Sequence, residues 1–441
     1  MFQNLKKIIL IGGDLLFLFL ALWATLLIRY PKNEISNNFN NHLPHFLVVF
    51  LIWILIFYIN GLYSLNLKMR GRKFFLNVIN SVLASSALSI IYFYLNVQSN
   101  IAPKTNLAIF IGIYTLLFLI WRGIYQSLVY SVIPQNNLAI IGFNQYSENI
   151  LKELRSKPGT GYQVSLIFKN SEELESLAEK IKEKNIKTIV VCDYFGQNEK
   201  MSDILFNCLS YSVNFFNYPD FYELLSGKIP VEAIGPEWFL ENLKEGEKNY
   251  FNFLKRLGDI ILGLIIFIVS LPFWPLIAII IKLESRGPIF FRQARLGLNE
   301  KEFQIIKFRS MKEDNNDRSL TQEKDSRITK FGNFLRKTRL DEIPQVINII
   351  KNEMSFIGPR PERPEIVAEL EKQIRYYKTR LLIKPGLTGW DQVSGEYHSA
   401  TSEDTLEKLQ YDLFYLKQRS LYLDLDITLR TIATMISRSG R

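Results

Sequence analysis

Four apolar stretches in the first third of the chain, residues 8–28, 46–65, 75–95 and 107–129, constrain its folding more than any other feature. Each is close to the ~20 residues that a helix needs to cross the hydrocarbon core of a bilayer. In lipid a chain must satisfy its backbone hydrogen bonds internally, so these stretches predict four membrane helices. The third is the most diluted, by Asn77, Asn80, Ser81, Ser85 and Ser86. Residues 1–30 carry no small-residue cleavage site, which predicts an uncleaved first span.

Basic residues sort the loops. Lys6 and Lys7 precede the first span, and Lys68, Arg70, Arg72 and Lys73 lie between the second and third. Residues 30–44 and 96–106 hold few cations. The positive-inside rule then puts the N-terminus, the second loop and everything after residue 129 in the cytoplasm.

The rest of the chain is less apolar. Hydrophobic residues make up 48% of the whole, which suits a membrane part joined to soluble parts. The net charge of +10 fits nucleic acid, anionic lipid or phosphorylated substrates. No nucleic-acid module is present and the cations flank apolar segments, so nucleic acid is not expected as a partner. The two cysteines, Cys192 and Cys208, match no metal-site spacing and read as free buried thiols. His42, His45 and His398 do not cluster, which argues against histidine-based metal or triad chemistry, and no phosphate loop of the Gly-x-x-x-x-Gly-Lys type occurs.

From residue 137 short apolar runs alternate with helical patterns. Strands are expected at 138–142, 163–168, 188–191 and 213–216, with helices between them, which predicts a parallel, Rossmann-like α/β sheet. The first turn, Gly142-Phe143-Asn144-Gln145-Tyr146-Ser147, has one glycine where a dinucleotide fingerprint has three. A structural or regulatory role is therefore expected for this domain rather than cofactor binding. Residues 221–252 read as a linker with some local helix.

A fifth apolar stretch, 260–281, is long enough to span, but Pro272 and Pro275 interrupt it and cations flank both ends. A fifth crossing would carry the Arg-rich remainder outside the cell. A re-entrant helix that enters and leaves on one face avoids this, with Ser270 bonding a carbonyl freed near the kink and Lys255 pairing with Asp259 four residues on. A plain fifth span is the alternative. Beyond it, strands are expected at 288–293 and 303–308, helices around 331–338, 344–351, 364–377 and 402–419, and an amphipathic segment at 421–436.

The chemistry concentrates between Arg336 and Glu362. Asp341 and Glu342 are adjacent carboxylates, and five cations, Lys307, Arg309, Arg336, Arg339 and Arg360, lie in segments that would converge near a helix start. Arginine suits planar, bidentate phosphate contact. A carboxylate in such a field is expected to stay ionised at neutral pH, able to attack phosphorus or hold a divalent cation. Asp341 also reads as a simple N-cap, and Gly358-Pro359-Arg360-Pro361-Glu362 and Lys384-Pro385-Gly386-Leu387-Thr388-Gly389-Trp390 read as rigid turns.

In their order, these blocks resemble a known family. Together with Lys255-Arg256-Leu257-Gly258-Asp259, Gly287 through Gln293, Lys307-Phe308-Arg309-Ser310-Met311 and Leu409-Gln410-Tyr411-Asp412, they resemble the bacterial sugar transferase domain, the monotopic phosphoglycosyl transferases. The layout resembles the long members that initiate exopolysaccharide assembly at the bacterial inner membrane. The resemblance implies transfer of a sugar-1-phosphate from a UDP-sugar to polyprenyl phosphate, with Asp341 as nucleophile and UMP as leaving group. It implies Mg²⁺ held by Glu342 with Asp341, phosphate contacts from Lys307, Arg336 and Arg360, and an active-site carboxylate at Asp412. Residues 394–399, Ser-Gly-Glu-Tyr-His-Ser, depart from the usual pattern and bear on the donor sugar.

The expected architecture is a membrane-helical bundle over residues 1–133, an α/β Rossmann-like domain over 137–220, the linker, and an α+β catalytic domain over 253–441 with a re-entrant helix at about 255–282. The first four spans and the middle domain are candidate homodimer contacts, with membrane lipid around the apolar segments. Two other functions compete. A membrane-anchored nucleotide-sugar dehydratase or epimerase needs a glycine-rich turn and a Tyr-x-x-x-Lys pair, and no such pair occurs. A non-enzymatic scaffold of a polysaccharide assembly complex would need neither carboxylate.

Overall fold

The computed structural model describes residues 2–437 apart from 65–70, 97–102, 133–135, 170, 193–198, 313–324, 326 and 395–400. Lys68, Arg70, His398 and most of the atypical 394–399 segment thus lie outside the described residues. The chain forms two compact units, Met1–Phe221 and Tyr222–Arg441.

The first unit opens with α1 (Phe2–Arg29), α2 (Ile35–Ile59), α3 (Arg72–Leu95) and α4 (Pro103–Val132). All four expected spans are helices. The second starts well before its apolar run and passes through Pro44. Aromatic rings join α2 to α4, with Phe46–Phe110, Trp53–Tyr114 and Phe57–Phe118 centroids 5.1, 5.0 and 4.9 Å apart, all edge-on. Some of the small polar residues of the third span are buried contacts, while Asn80 is exposed. Ser81, Ser85 and Ser89 are fully buried; Ser81 accepts from Asn60 Nδ2 at 2.8 Å and Ser89 from Trp53 Nε1 at 3.2 Å. Small polar side chains hold membrane helices together in this way. Between α1 and α4, a Cβ on Gly13 would stand 2.1 Å from the Trp121 ring, so only glycine allows this approach.

One buried ion pair crosses the same interface. Arg122 NH2 lies 2.8 Å from Asp14 Oδ2, with side chains 1% and 0% exposed, and the guanidinium sits 4.5 Å over the Phe118 ring. Charges inside a membrane are costly unless paired.

After the bundle come β1 (Asn136–Ile141), α5 (Gln145–Ser156), β2 (Tyr162–Phe168), α6 (Leu177–Glu183), β3 (Ile186–Val191), α7 (Glu199–Asn207) and β4 (Asn214–Asn217). The four strands pair in parallel in the order β2-β1-β3-β4, as the alternation predicted. Asn144 caps α5 through its side chain, and Gly142 takes φ +92° in the turn before it. Cys192 and Cys208 are both buried, and neither forms a disulfide among the described residues.

The second unit takes up the chain within α8 (Tyr218–Ser226) and continues through α9 (Pro236–Asn242), α10 (Asn249–Ser270) and α11 (Trp274–Glu284). Within the stretch read as a linker, Ile229, Val231 and Ile234 are buried in the same core as Leu409, Leu413 and Leu416. Between α10 and α11 the backbone tightens to a 3₁₀ turn over Leu271–Phe273, at the two prolines. Only 11% of this apolar stretch is buried, against 28–33% for the first four spans. A helix that is apolar all round and left uncovered by protein belongs in lipid. Among the described residues, five stretches are long and apolar enough to cross a bilayer, and the protein is a membrane protein.

One expectation about this helix is revised and another is met. Lys255 does not pair with Asp259. Its ammonium is 2.6 Å from Asp424 Oδ2 and donates to Tyr415 OH at 3.1 Å, while Asp259 accepts from Ser355 Oγ and the Phe356 N–H, both at 3.2 Å. Partners fixed by the folded domain outcompete a neighbour one helical turn away. Ser270 Oγ does donate to a carbonyl, Phe267 O at 3.2 Å, and it also accepts from Trp274 Nε1 at 3.1 Å across the break.

The remainder is β5 (Phe290–Leu296), β6 (Glu302–Phe308), α12 (Lys330–Thr338), a 3₁₀-helix Leu340–Gln345, α13 (Val346–Ile350), β7 (Ser355–Ile357), α14 (Pro364–Gln373), β8 (Gly386–Thr388), α15 (Trp390–Ser394), α16 (Ser402–Gln418) and α17 (Leu421–Ser437). β5 and β6 form an antiparallel hairpin, and β7 and β8 a short parallel pair.

Removing one partner of a buried ion pair costs about 3–5 kcal/mol, whereas replacing both by apolar residues is close to neutral. Asp14→Leu and Arg122→Met should therefore each lower the unfolding temperature of the detergent-solubilised protein strongly. The double variant should recover most of the loss.

Candidate active site

α12 is capped at its start by Thr329, whose Oγ1 accepts from Gly332 N at 2.9 Å, and by Glu284, which accepts from Phe331 N at 2.9 Å. At its end Arg339 takes a left-handed conformation, φ 58° and ψ 14°. Such a backbone is uncommon for a residue other than glycine and turns the chain sharply. It delivers Asp341 and Glu342 into the following 3₁₀-helix. Asp341 is thus not an N-cap: the capping position is Arg339, and the two carboxylates sit inside the turn, each 9% exposed.

β6 backs the turn. Asn348 of α13 ties them together by accepting from Ile306 N at 3.1 Å and donating to Gln304 O at 2.8 Å. Lys307 then reaches Glu342 Oε1 at 2.7 Å, and Arg360 reaches the same oxygen at 3.5 Å. Arg336 and Arg339 lie close enough to act electrostatically on Asp341. The fifth expected cation is elsewhere. Arg309 is buried under the end of α11, donating to Ser285 O at 2.7 Å and Ser285 Oγ at 3.0 Å. A guanidinium there satisfies carbonyls that a helix C-terminus leaves open.

The two carboxylates are electrically unlike. Burial would raise both. In Glu342 the cations win, Lys307 foremost and then Arg360, holding it down to about 2. In Asp341 burial and the neighbouring Glu342 outweigh Lys307, Arg336 and Arg339 and push it up to about 6. Asp341 is still mostly ionised at neutral pH, but it is the more basic of the pair. Its Oδ1 is buried with no hydrogen-bond partner among the described residues. No cluster of three His, Cys, Asp or Glu side chains occurs among the described residues. Mg²⁺ takes one or two carboxylates and completes its shell with water and substrate phosphates, so this donor set fits it.

The two motifs that read as turns are the strands β7 and β8 and their continuations. They pack backbone to backbone: a Cβ on Gly386 would stand 2.1 Å from Gly358 N, and one on Gly358 would stand 2.4 Å from Lys384 O. Glycine at both positions allows the approach that carries Arg360 toward the dyad. Asp412 is buried and stands behind Arg360. It pairs with Arg380 at 2.8 Å, and Arg380 donates to Arg360 O at 3.0 Å and to Tyr377 OH at 2.8 Å. Asp391 is also buried beside Arg380 and Arg360, and burial pushes its carboxyl up. Sequence reasoning missed Arg380 and Asp391. The signal for Arg380 was a charge set directly against the apolar run Leu381-Leu382-Ile383.

An apolar cavity of about 390 Å³ adjoins the turn, lined by Phe273, Trp274 and Ile277 at the helix break, Phe331 and Leu335 of α12, and Leu340 and Ile343 on either side of the dyad. The break residues Ser270, Pro272 and Pro275 thus lie in or beside its wall.

The contrast between the carboxyls sets the pH dependence of stability. Folding raises Asp341, so ionising it opposes the fold, by on the order of 3 kcal/mol at pH 7 and not at all below about pH 4. Folding lowers Glu342, so its ion pairs stabilise above its ordinary value and are lost as pH falls toward 2. Without divalent ions, Asp341→Asn should raise the unfolding temperature at pH 7 with the gain vanishing by pH 4, and Glu342→Gln should lower it at pH 7.

Comparison with known proteins covers the same region. The family model described as Bacterial sugar transferase matches residues 250–438. A UDP-glucose:undecaprenyl-phosphate glucose-1-phosphate transferase from Xanthomonas campestris pv. campestris is 35% identical over 60% of this chain and 56% of its own length. A UDP-N-acetylgalactosamine-undecaprenyl-phosphate N-acetylgalactosaminephosphotransferase from Aeromonas hydrophila is 34% identical over 56% and 57%. The chain thus spans little more than half the length of these two relatives. A UDP-glucose:undecaprenyl-phosphate glucose-1-phosphate transferase from Klebsiella pneumoniae is 31% identical over 70% of this chain and 69% of its own length. With the buried dyad, its ring of cations and these matches in hand, the chain belongs to the bacterial sugar transferase family.

Proposed function

We propose that the protein transfers a sugar-1-phosphate from a UDP-sugar to polyprenyl phosphate, and so begins assembly of an exopolysaccharide or related glycan. The observation that carries this reading is the buried Oδ1 of Asp341, unpartnered among the described residues, on a carboxylate mostly ionised at neutral pH beside three cations, Lys307, Arg336 and Arg339. Asp341 attacks the β-phosphorus of the donor. The bond from that phosphorus to the bridging oxygen breaks, UMP departs with the electron pair, and the phosphosugar stays on the aspartate. A phosphate oxygen of the polyprenyl carrier then attacks the same phosphorus, and the Asp341 carboxylate leaves to give polyprenyl-diphosphate-sugar.

Phosphoryl transfer needs positioning and charge neutralisation above all. Lys307 and Arg360 keep Glu342 ionised and stand ready for donor phosphate, and Arg336 and Arg339 flank the attacking carboxylate. Glu342 and Asp341 would hold Mg²⁺, which when bound neutralises the diphosphate. Asp412 acts from behind, through Arg380.

The membrane setting supports the same reading. Residues 249–284 enter and leave the cytoplasmic face of the bacterial inner membrane as a broken, re-entrant helix, which sets the dyad at headgroup depth where the carrier's phosphate emerges. The cavity between the break and the dyad is apolar, as a lipid substrate requires. The α/β domain, Rossmann-like in its alternation, has a structural or regulatory role.

Purified enzyme given a panel of UDP-sugars should release UMP with at least one of them, before carrier is added, and follow ping-pong kinetics with it. Asp341→Asn should abolish release, a loss of several orders of magnitude in turnover. Mass spectrometry of enzyme held with donor alone should show a phosphosugar on position 341. Product formation with no such adduct would defeat the assignment.

A further inference from the structure

Residues 358–362 form no helix or strand, yet each is held through its own main-chain groups. Gly358 N donates to Thr388 O at 2.9 Å, Pro359 O accepts from Gly386 N at 2.9 Å, and Glu362 O accepts from Leu296 N at 3.0 Å. The two carbonyls between are taken by guanidiniums: Arg360 O by Arg380 at 3.0 Å and Pro361 O by Arg295 at 2.8 Å. Arg380 is 5% exposed and needs Asp412 to balance it; Arg295 is largely covered and leans on Glu362 at 3.4 Å.

Charged groups in such places are expensive, and apolar residues of similar size would often stabilise the fold as well or better. Stability therefore does not explain why two arginines hold the carbonyls of an irregular stretch. Position does. The side chain this stretch sends to the dyad is Arg360, and that side chain is 41% exposed. Packing alone does not fix its direction, so the backbone must.

We infer that Arg380 and Arg295 are positioning residues that clamp the main chain on both sides of Arg360 and thereby aim its guanidinium at the dyad and at the donor's diphosphate. The inference rests on the proposed donor chemistry but adds a separate claim, that these two arginines act only through Arg360. Misplacing a phosphate contact by about 1 Å is enough for large losses in rate.

A double-mutant cycle on the full-length protein tests this, with UDP binding by calorimetry and UMP release from the best UDP-sugar as the two readouts. Arg380→Lys and Arg295→Lys should each weaken UDP binding by about tenfold. In an Arg360→Ala background either change should add less than about twofold, because the group being aimed is gone. Losses that multiply in the Arg360→Ala background would overturn the inference, as would lowered unfolding temperatures with unchanged UDP affinity. If Arg380→Lys fails to fold, Arg295→Lys, on a hairpin strand, gives the same cycle. A wild-type protein that binds UDP and releases UMP while the cycle is additive defeats the clamp alone. One that does neither defeats the donor reading, and the clamp with it.

Discussion

The contact on which the site depends is the one between Lys307 and Glu342. An ammonium brought against one of two adjacent carboxylates breaks their symmetry. Glu342 becomes a fixed negative charge locked to cations, and Asp341 is left as the more basic group with an oxygen to spare. Chemistry by a carboxylate nucleophile needs this division, since a group held tightly by ion pairs is stable and unreactive, while an isolated buried one would take up a proton. The surroundings of the turn hold Lys307 and Glu342 in register: the left-handed Arg339, Asn348 bridging α13 to β6, and Glu284 at the end of α11 capping α12.

Much of this was legible in the chain. Long apolar runs mark membrane helices because length and hydropathy are local properties, and strand and helix alternation marks the parallel sheet for the same reason. Sequence order also marked Lys307, Arg336, Arg339, Asp341, Glu342 and Arg360 as one expected cluster, and the fold places them together. What could not be read depends on who meets whom across the chain. Ser81 and Ser89 look like impurities in an apolar helix until Asn60 and Trp53 are seen to bond them. Arg309 sits two residues from Lys307, yet it serves the end of α11. Lys255 and Asp259 have ideal spacing for a pair and find different partners, because a folded neighbour offers fixed donors and acceptors.

The glycine motifs show the same limit from another side. Gly358 and Gly386 sit in segments whose prolines and glycines read as turns, and three-residue strands carry no periodicity to say otherwise. Their role is contact: two backbones lie so close that no Cβ fits between them. That closeness carries Arg360 to the dyad, so a feature that looks like loop chemistry is part of how the site is aimed. Behind it, Asp412 and Arg380 form a buried layer that reaches the main chain of Arg360.

The Asp14–Arg122 pair has a consequence for how the protein is made. The two residues are 108 positions apart, and three further helices must emerge from the ribosome after Asp14 before its partner exists. During that interval the first helix carries a lone acid at a depth where acids are unwelcome, so it is poorly suited to settle alone in lipid. Arrival of Arg122 closes the circuit between the first helix and the last. The bundle's final seating is therefore timed by its fourth helix, and a chain cut short before residue 122 would leave its anchor loosely held.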